Sequence, residues 1–159
     1  METITITTES KKERYEELLP QISALLADES DLIANLANVS AALKTAFSRY
    51  SWVGFYLLKN DELVLGPFQG KVACVRIALG KGVCGTAAMR RETVVVQDVT
   101  EYPGHIACDS DSRSEIVVPM VRGMYLCGVI DVDSNERDSF DETDRTYLEK
   151  IAEIVSEKF

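Results

Sequence analysis

The chain is predicted to be an α+β protein, a central antiparallel sheet of about six strands with helices on its faces. Three observations predict this. Two segments of helical period come first, segments of strand character cluster behind them with turn signals between, and one more helical segment closes the chain. The 159 residues, 46% hydrophobic and 27% charged, fit one ordinary globular domain with a core of its own. With no internal repeat, low-complexity tract or linker, a single domain over 1–159 is expected, with residues 1–8 flexible.

The elements follow in order. From about Glu9 to Ala27, Tyr15, Leu18, Leu19, Ile22, Leu25 and Leu26 recur at helical spacing, with a bend expected near Pro20. Asp28 or Ser30 is expected to cap a second helix, whose Leu32, Ile33, Leu36, Val39, Leu43 and Phe47 line one face. Trp52 to Leu58 reads as a strand, Lys59-Asn60-Asp61 as a turn, and Glu62 to Phe68 as the hairpin partner. A third strand is expected over 72–77, carrying Cys74. Gly80-Lys81-Gly82 breaks it before a short helix from about Val83 to Arg90. Thr93 to Val96 is a strand and Val99 to Ser114 a long polar loop. Glu115 to Val121 and Tyr125 to Val132 form a hairpin across Arg122-Gly123. Asp141 to Lys158 is the closing helix, opened by a Ser139-x-x-Glu142 capping signal.

Charge and composition exclude several classes. A formal net charge of -9 argues against nucleic acid, which is bound through clustered Lys and Arg, and the pairs Lys11-Lys12 and Arg90-Arg91 are too short to reverse it. The start lacks the apolar core of a secretory signal, and no apolar run approaches membrane-spanning length. A cytoplasmic protein is expected, where thiols stay reduced and disulfides are transient or catalytic. The four cysteines are therefore not structural staples by default.

Chemistry concentrates in the middle of the chain. Cys74, Cys84 and Cys108 share it with Glu115 and the Asp131-x-Asp133 pair, which fall on apolar strands where an unpaired charge is costly. Asp131 and Asp133 point to the same face of their strand and line one pocket, because side chains alternate. Clustered carboxylates raise the pKa of at least one member, leaving a neutral acid near pH 7. Trp52 and Tyr56 also share a face and offer the pocket an aromatic wall. Asp138, Asp141 and Asp144 read as solvated residues. His105, the single histidine, has a supporting role at most, and Cys127 reads as a small buried core residue. The Gly80-x-Gly82 loop is either a carboxylate-binding turn ahead of a helix or only a tight turn. No metal is expected, since the cysteines lack a Cys-x-x-Cys spacing. On electrostatics Cys84 is the reactive thiol: it lies at a helix N-terminus, whereas Asp109 and Asp111 follow Cys108.

Four segments carry a resemblance that covers nearly the whole chain from Trp52 onward. Gly80-Lys-Gly-Val-Cys-Gly-Thr-Ala87, His105-Ile-Ala-Cys-Asp109, Ser112-Arg-Ser-Glu-Ile-Val-Val-Pro119 and Gly128-Val-Ile-Asp-Val-Asp-Ser134 resemble the free methionine-(R)-sulfoxide reductases, a catalytic branch of the GAF domain fold. The resemblance implies a GAF-like sheet with the N-terminal and C-terminal helices packed on one face. It implies reduction of free methionine-(R)-sulfoxide by a thiolate, with Cys108 attacking, Cys74 resolving, Cys84 secondary and Glu115 donating the proton. Trp52, Tyr56, Asp131 and Asp133 are then substrate-binding residues. On the residues themselves, Arg113 is expected to offset the acids around Cys108, and a position in a mobile loop to let Cys108 reach substrate and then Cys74. The implied partners are thioredoxin, as an external dithiol in place of any bound cofactor, and a second copy of the chain in a homodimer. Two rival classes are a non-catalytic GAF sensor of small ligands and a thiol redox sensor; the expectation that no output domain follows Phe159 counts against the first.

Overall fold

The computed structural model describes residues 3–159. Helices α1 (Lys11–Ala27) and α2 (Leu32–Ala46) precede strands β1 (Trp52–Lys59), β2 (Glu62–Gln69) and β3 (Arg76–Ala78). Helix α3 (Gly82–Arg90), β4 (Val94–Val96), β5 (Ser114–Arg122), β6 (Tyr125–Ser134) and α4 (Glu142–Ser156) follow. The strands form one six-stranded antiparallel sheet in the order β3-β2-β1-β6-β5-β4. This is the α+β architecture that the sequence predicts, one antiparallel sheet of six strands with helices on its faces.

Strand pleating divides the core in two. Val53, Phe55, Ile116, Val118, Ile130 and Val132 face α1, α2 and α4 in one apolar cluster. Trp52, Tyr56, Val117 and Val129 face the other way, against Val83, Cys84, Ala87 and Ala88 of α3. The terminal helices thus share one face, and the short α3 alone roofs the other. Cys127, expected in the core, is only half-buried at the edge of the first cluster. Among the described residues no helix is long and apolar enough to cross a membrane.

Local departures from the sequence reading have local causes. α1 continues through Pro20 as one helix. Asp31, rather than Asp28 or Ser30, caps α2, its carboxylate accepting the Ala34 N–H at 2.8 Å. α4 is capped by Asp141 with Asp144 closing the box, because the Ser139 hydroxyl is spent on Ser134 and Glu136. The third strand begins only at Arg76 and excludes Cys74. The carbonyls of Lys71 and Cys74 accept instead from the Trp52 indole, at 3.0 Å, and the Tyr56 hydroxyl, at 2.9 Å, so the segment before Arg76 is held by side chains. Of the stretch 1–8 read as flexible, Met1 and Glu2 lie outside the described residues. Beyond them the Thr5 and Thr7 N–H groups donate to Gln21 and Glu17 of α1.

Asp144 corrects the reading of that residue as solvated: its side chain is 0% exposed. Lys11 reaches it at 2.5 Å, Arg49 at 3.2 Å and the Tyr15 hydroxyl at 2.9 Å, so α1 and the end of α2 supply the partners. Asp138 and Asp141 remain at the surface. Removing one member of a buried ion pair strands the others, and Asp144→Ala is expected to lower unfolding stability by about 3–5 kcal/mol. The shift in denaturation midpoint measures this, and a loss under about 1 kcal/mol would mean that water replaces the carboxylate freely.

Candidate active site

The pocket opens on the α3 side of the sheet, where register gathers the predicted residues. Asp133 pairs with Trp52 across β1–β6 and with Glu115 across β5–β6, so it sits between them. Asp131, two residues back on the same face, pairs with Gly54 and Val117. Gly54 is required here: a Cβ would lie 2.3 Å from the Phe68 Cβ and 2.8 Å from the Trp52 ring. Its absence lets Trp52 stack on Phe68 and on Tyr56, at centroid distances of 5.2 and 6.0 Å. Phe68 supports Trp52 from outside the pocket lining, a role that sequence reasoning missed because only the β1–β2 register places it there.

The acids are deep. Glu115 and Asp131 are each 6% exposed, and Asp133 is half-buried. Burial, reinforced by the charge of Asp133, pushes the Glu115 carboxyl well above the usual carboxylate range. Burial likewise raises Asp131, with Glu115 adding to it, and Asp133, with Asp131 adding to it. Asp131 Oδ1 is buried with no protein partner. It is thus a polar atom left free for whatever fills the pocket, because an orphaned buried polar atom is costly.

Cys84 lies in the first turn of α3, as expected, with its Sγ 3.9 Å from Glu115 Oε1. Its electrostatics reverse the sequence expectation. Burial first, then the nearby Asp131 and Glu115, raise its pKa well above that of a free thiol, outweighing the helix terminus. His105 Nε2 is 3.5 Å from Glu115 Oε2, and burial lowers its pKa, which favours the neutral imidazole. Cys84 Sγ and the Glu115 and Asp131 oxygens lie within 4.8 Å of one another. Metal binding would need these groups ionised, and burial holds all three toward their protonated forms.

Cys74 and Cys108 are joined by a disulfide with Cα atoms 5.4 Å apart, linking the segment before β3 to the loop before β5. A second link joins the same segments: Lys71 Nζ lies 3.2 Å from Asp109 and 2.5 Å from Asp111. Lys71 is therefore the main balance to the acids beside Cys108, and the Arg113 charge adds to it at Asp111. The Arg113 guanidinium donates to the carbonyls of Ser110 and Ser112. The glycine loop is a tight turn. Gly80 and Lys81 spend their N–H groups on the turn, to Gly85 and Ala78. The N–H groups of Gly82, Val83 and Cys84 find no acceptor among the described residues and start α3 at the pocket wall.

The three raised acids give a testable sign. Each holds a proton in the folded state that the unfolded chain has released, so their stabilising contribution is complete below about pH 4 and is lost as pH rises through the folded values. The ligand-free protein is expected to lose thermal stability as pH rises from about 4 toward neutrality, and Asp131→Asn to flatten that slope. A melting series across that range checks it; a wild-type Tm rising with pH would contradict the assignment.

The GAF domain family model matches residues 27–157. The Dictyostelium discoideum GAF domain-containing protein A is 54% identical over 155 residues, covering 97% of this chain and 98% of its own. The free methionine-R-sulfoxide reductase of Escherichia coli is 47% identical over 142 residues, covering 89% of this chain and 86% of its own. Among solved structures, the free methionine-R-sulfoxide reductase of Neisseria meningitidis in complex with its substrate superposes with a TM-score of 0.97 at 51% identity, over 100% of this chain and 96% of that one.

Proposed function

The chain belongs to the free methionine-R-sulfoxide reductases of the GAF domain family, and from that premise we propose that it reduces free L-methionine-(R)-S-oxide to L-methionine with Cys108 as the attacking thiol. The observation that carries this reading is the Cys74–Cys108 bond at a pocket where burial pushes the Glu115 carboxyl well above the usual carboxylate range. A sulfoxide sulfur becomes electrophilic when its oxygen is protonated, and Glu115 is the donor. The Cys108 thiolate attacks sulfur, methionine leaves, and oxygen stays on the enzyme as Cys108 sulfenic acid. Cys74 displaces it as water, forming the disulfide. An external dithiol, thioredoxin in this reading, returns two electrons and two protons, so no bound redox cofactor is needed.

The same pocket accounts for selection of the free amino acid. The substrate ammonium meets Asp131 and Asp133, its carboxylate the N–H groups of Gly82, Val83 and Cys84, and its methyl and methylene groups the Trp52–Tyr56 wall. A residue inside a peptide has neither charge, so both sets of polar groups would be left unpaired. A cytoplasmic location suits thiols that must return to the reduced state, and a homodimer belongs to the same reading.

The test is turnover with dithiothreitol or thioredoxin, following methionine released. Free R-sulfoxide is expected to be reduced, and the S epimer and N-acetylmethionine sulfoxide to react slower by on the order of 10²-fold or more. Ligand binding or disulfide formation without turnover would favour a sensor and overturn the enzyme reading.

A further inference from the structure

The Cys74–Cys108 bond must be reopened from outside, and the backbone around Cys74 points to where. Residues 71–75 lead into β3, the end strand of the sheet, and Val75 extends its ladder by accepting the Leu65 N–H at 2.9 Å. The carbonyls of this segment turn inward, to Trp52, Tyr56 and Leu65. Its N–H groups, from Lys71 to Val75, find no acceptor among the described residues. Val72 is 88% and Val75 62% exposed, so β-branched side chains stand beside the free donors. An unpaired edge of this kind is a template for another chain, which proteins ordinarily blunt or cover. Here Cys74 sits in its middle.

We propose that residues 71–75 are the docking strand for a thioredoxin-class dithiol protein, which pairs with this edge and attacks Cys74, not Cys108; the proposal rests on the reductase reading above. The partner thiolate bonds to Cys74 Sγ, the Cys74–Cys108 bond breaks, and Cys108 leaves as the thiolate that the next cycle needs. The partner's second thiol gives up its proton and attacks the mixed disulfide. Cys74 leaves as a thiolate and takes that proton, and the partner departs oxidised by two electrons. Geometry favours this order of attack. Cys108 lines the substrate pocket, whereas Cys74 lies on the outer segment and is not part of that lining.

Two measurements test it. Oxidised full-length protein is mixed with a thioredoxin whose second active-site cysteine is serine, and the trapped adduct is mapped by mass spectrometry. Attachment at Cys74 is expected; attachment at Cys108 overturns the proposal. Val75→Ala, uncharged and outside the pocket lining, is then assayed with both reductants. With thioredoxin its KM for the reductant is expected to rise about tenfold, as for loss of an interface anchor, while dithiothreitol-driven turnover is unchanged. An unchanged thioredoxin KM overturns the docking strand and leaves the reductase reading intact. Wild-type protein inert with dithiothreitol overturns the reductase reading itself, and the docking proposal with it.

Discussion

Cys108→Ser is expected to abolish reduction of free methionine-(R)-S-oxide, by at least about 10³-fold, the scale on which loss of a nucleophile acts, whereas Cys84→Ser only reduces it. Two thiols compete for the role. Cys84 has the helix N-terminus, but it is buried beside Glu115 and Asp131, and all three surroundings oppose a thiolate. Cys108 has the acids in sequence, but Lys71 neutralises them, and its Sγ already reaches Cys74. Removing Cys84 takes away a neutral neighbour of the proton donor, which perturbs the donor without removing the reaction. Binding separates the effects: Trp52 fluorescence is expected to report near-normal substrate affinity in Cys108→Ser. Comparable activity in the two variants would sink the assignment.

The fold was legible wherever one periodicity ran long enough. α4 declares itself by Tyr147, Leu148, Ile151, Ala152 and Val155, all of which are buried. The β5–β6 hairpin does so by apolar runs around a glycine turn. Segment 72–77 misleads because Val72, Cys74, Val75 and Ile77 have strand propensity throughout, yet Trp52 and Tyr56 take carbonyls that a longer strand would have spent on its neighbour. Asp144 misleads for a different reason. A carboxylate in the first turn of a helix is normally a solvated cap, and nothing nearby in sequence signals that Lys11 and Tyr15, 133 and 129 residues away, converge on it.

At the site, residue type was readable and depth was not. Acids in apolar strands announce a pocket because an unused buried charge is too costly, and alternation put Asp131 and Asp133 on one face correctly. Cys84 was placed correctly in the first turn of its helix, and its pKa was misjudged because a helix terminus is visible in sequence while burial is not. Lys71 carried no signal: its partners are 38 and 40 residues away, and only the approach of two loops makes it a counter-charge.

Glu115→Gln is the companion test, and its value lies in what it leaves unchanged. The glutamate is held toward its protonated form by burial, and glutamine has nearly the same shape and is neutral at every pH. The substitution removes a transferable proton while keeping a hydrogen-bonding group in place. Folding stability should be equal or slightly higher near neutral pH, since the variant no longer resists deprotonation there. Turnover should fall by about 10² to 10⁴-fold, the contribution of a positioned general acid. The fall should be in kcat with little change in KM, because Asp131, Asp133 and the aromatic wall still hold substrate. The pH profile adds a second signature. Wild-type activity should decline as pH rises through the folded-state pKa of Glu115, and that limb should vanish in Glu115→Gln. A variant within threefold of wild-type kcat that keeps the alkaline limb would move the proton to another group. Asp131 is then next, since its carboxyl is also buried and raised, and its Oδ1 has no protein partner to compete for the sulfoxide oxygen.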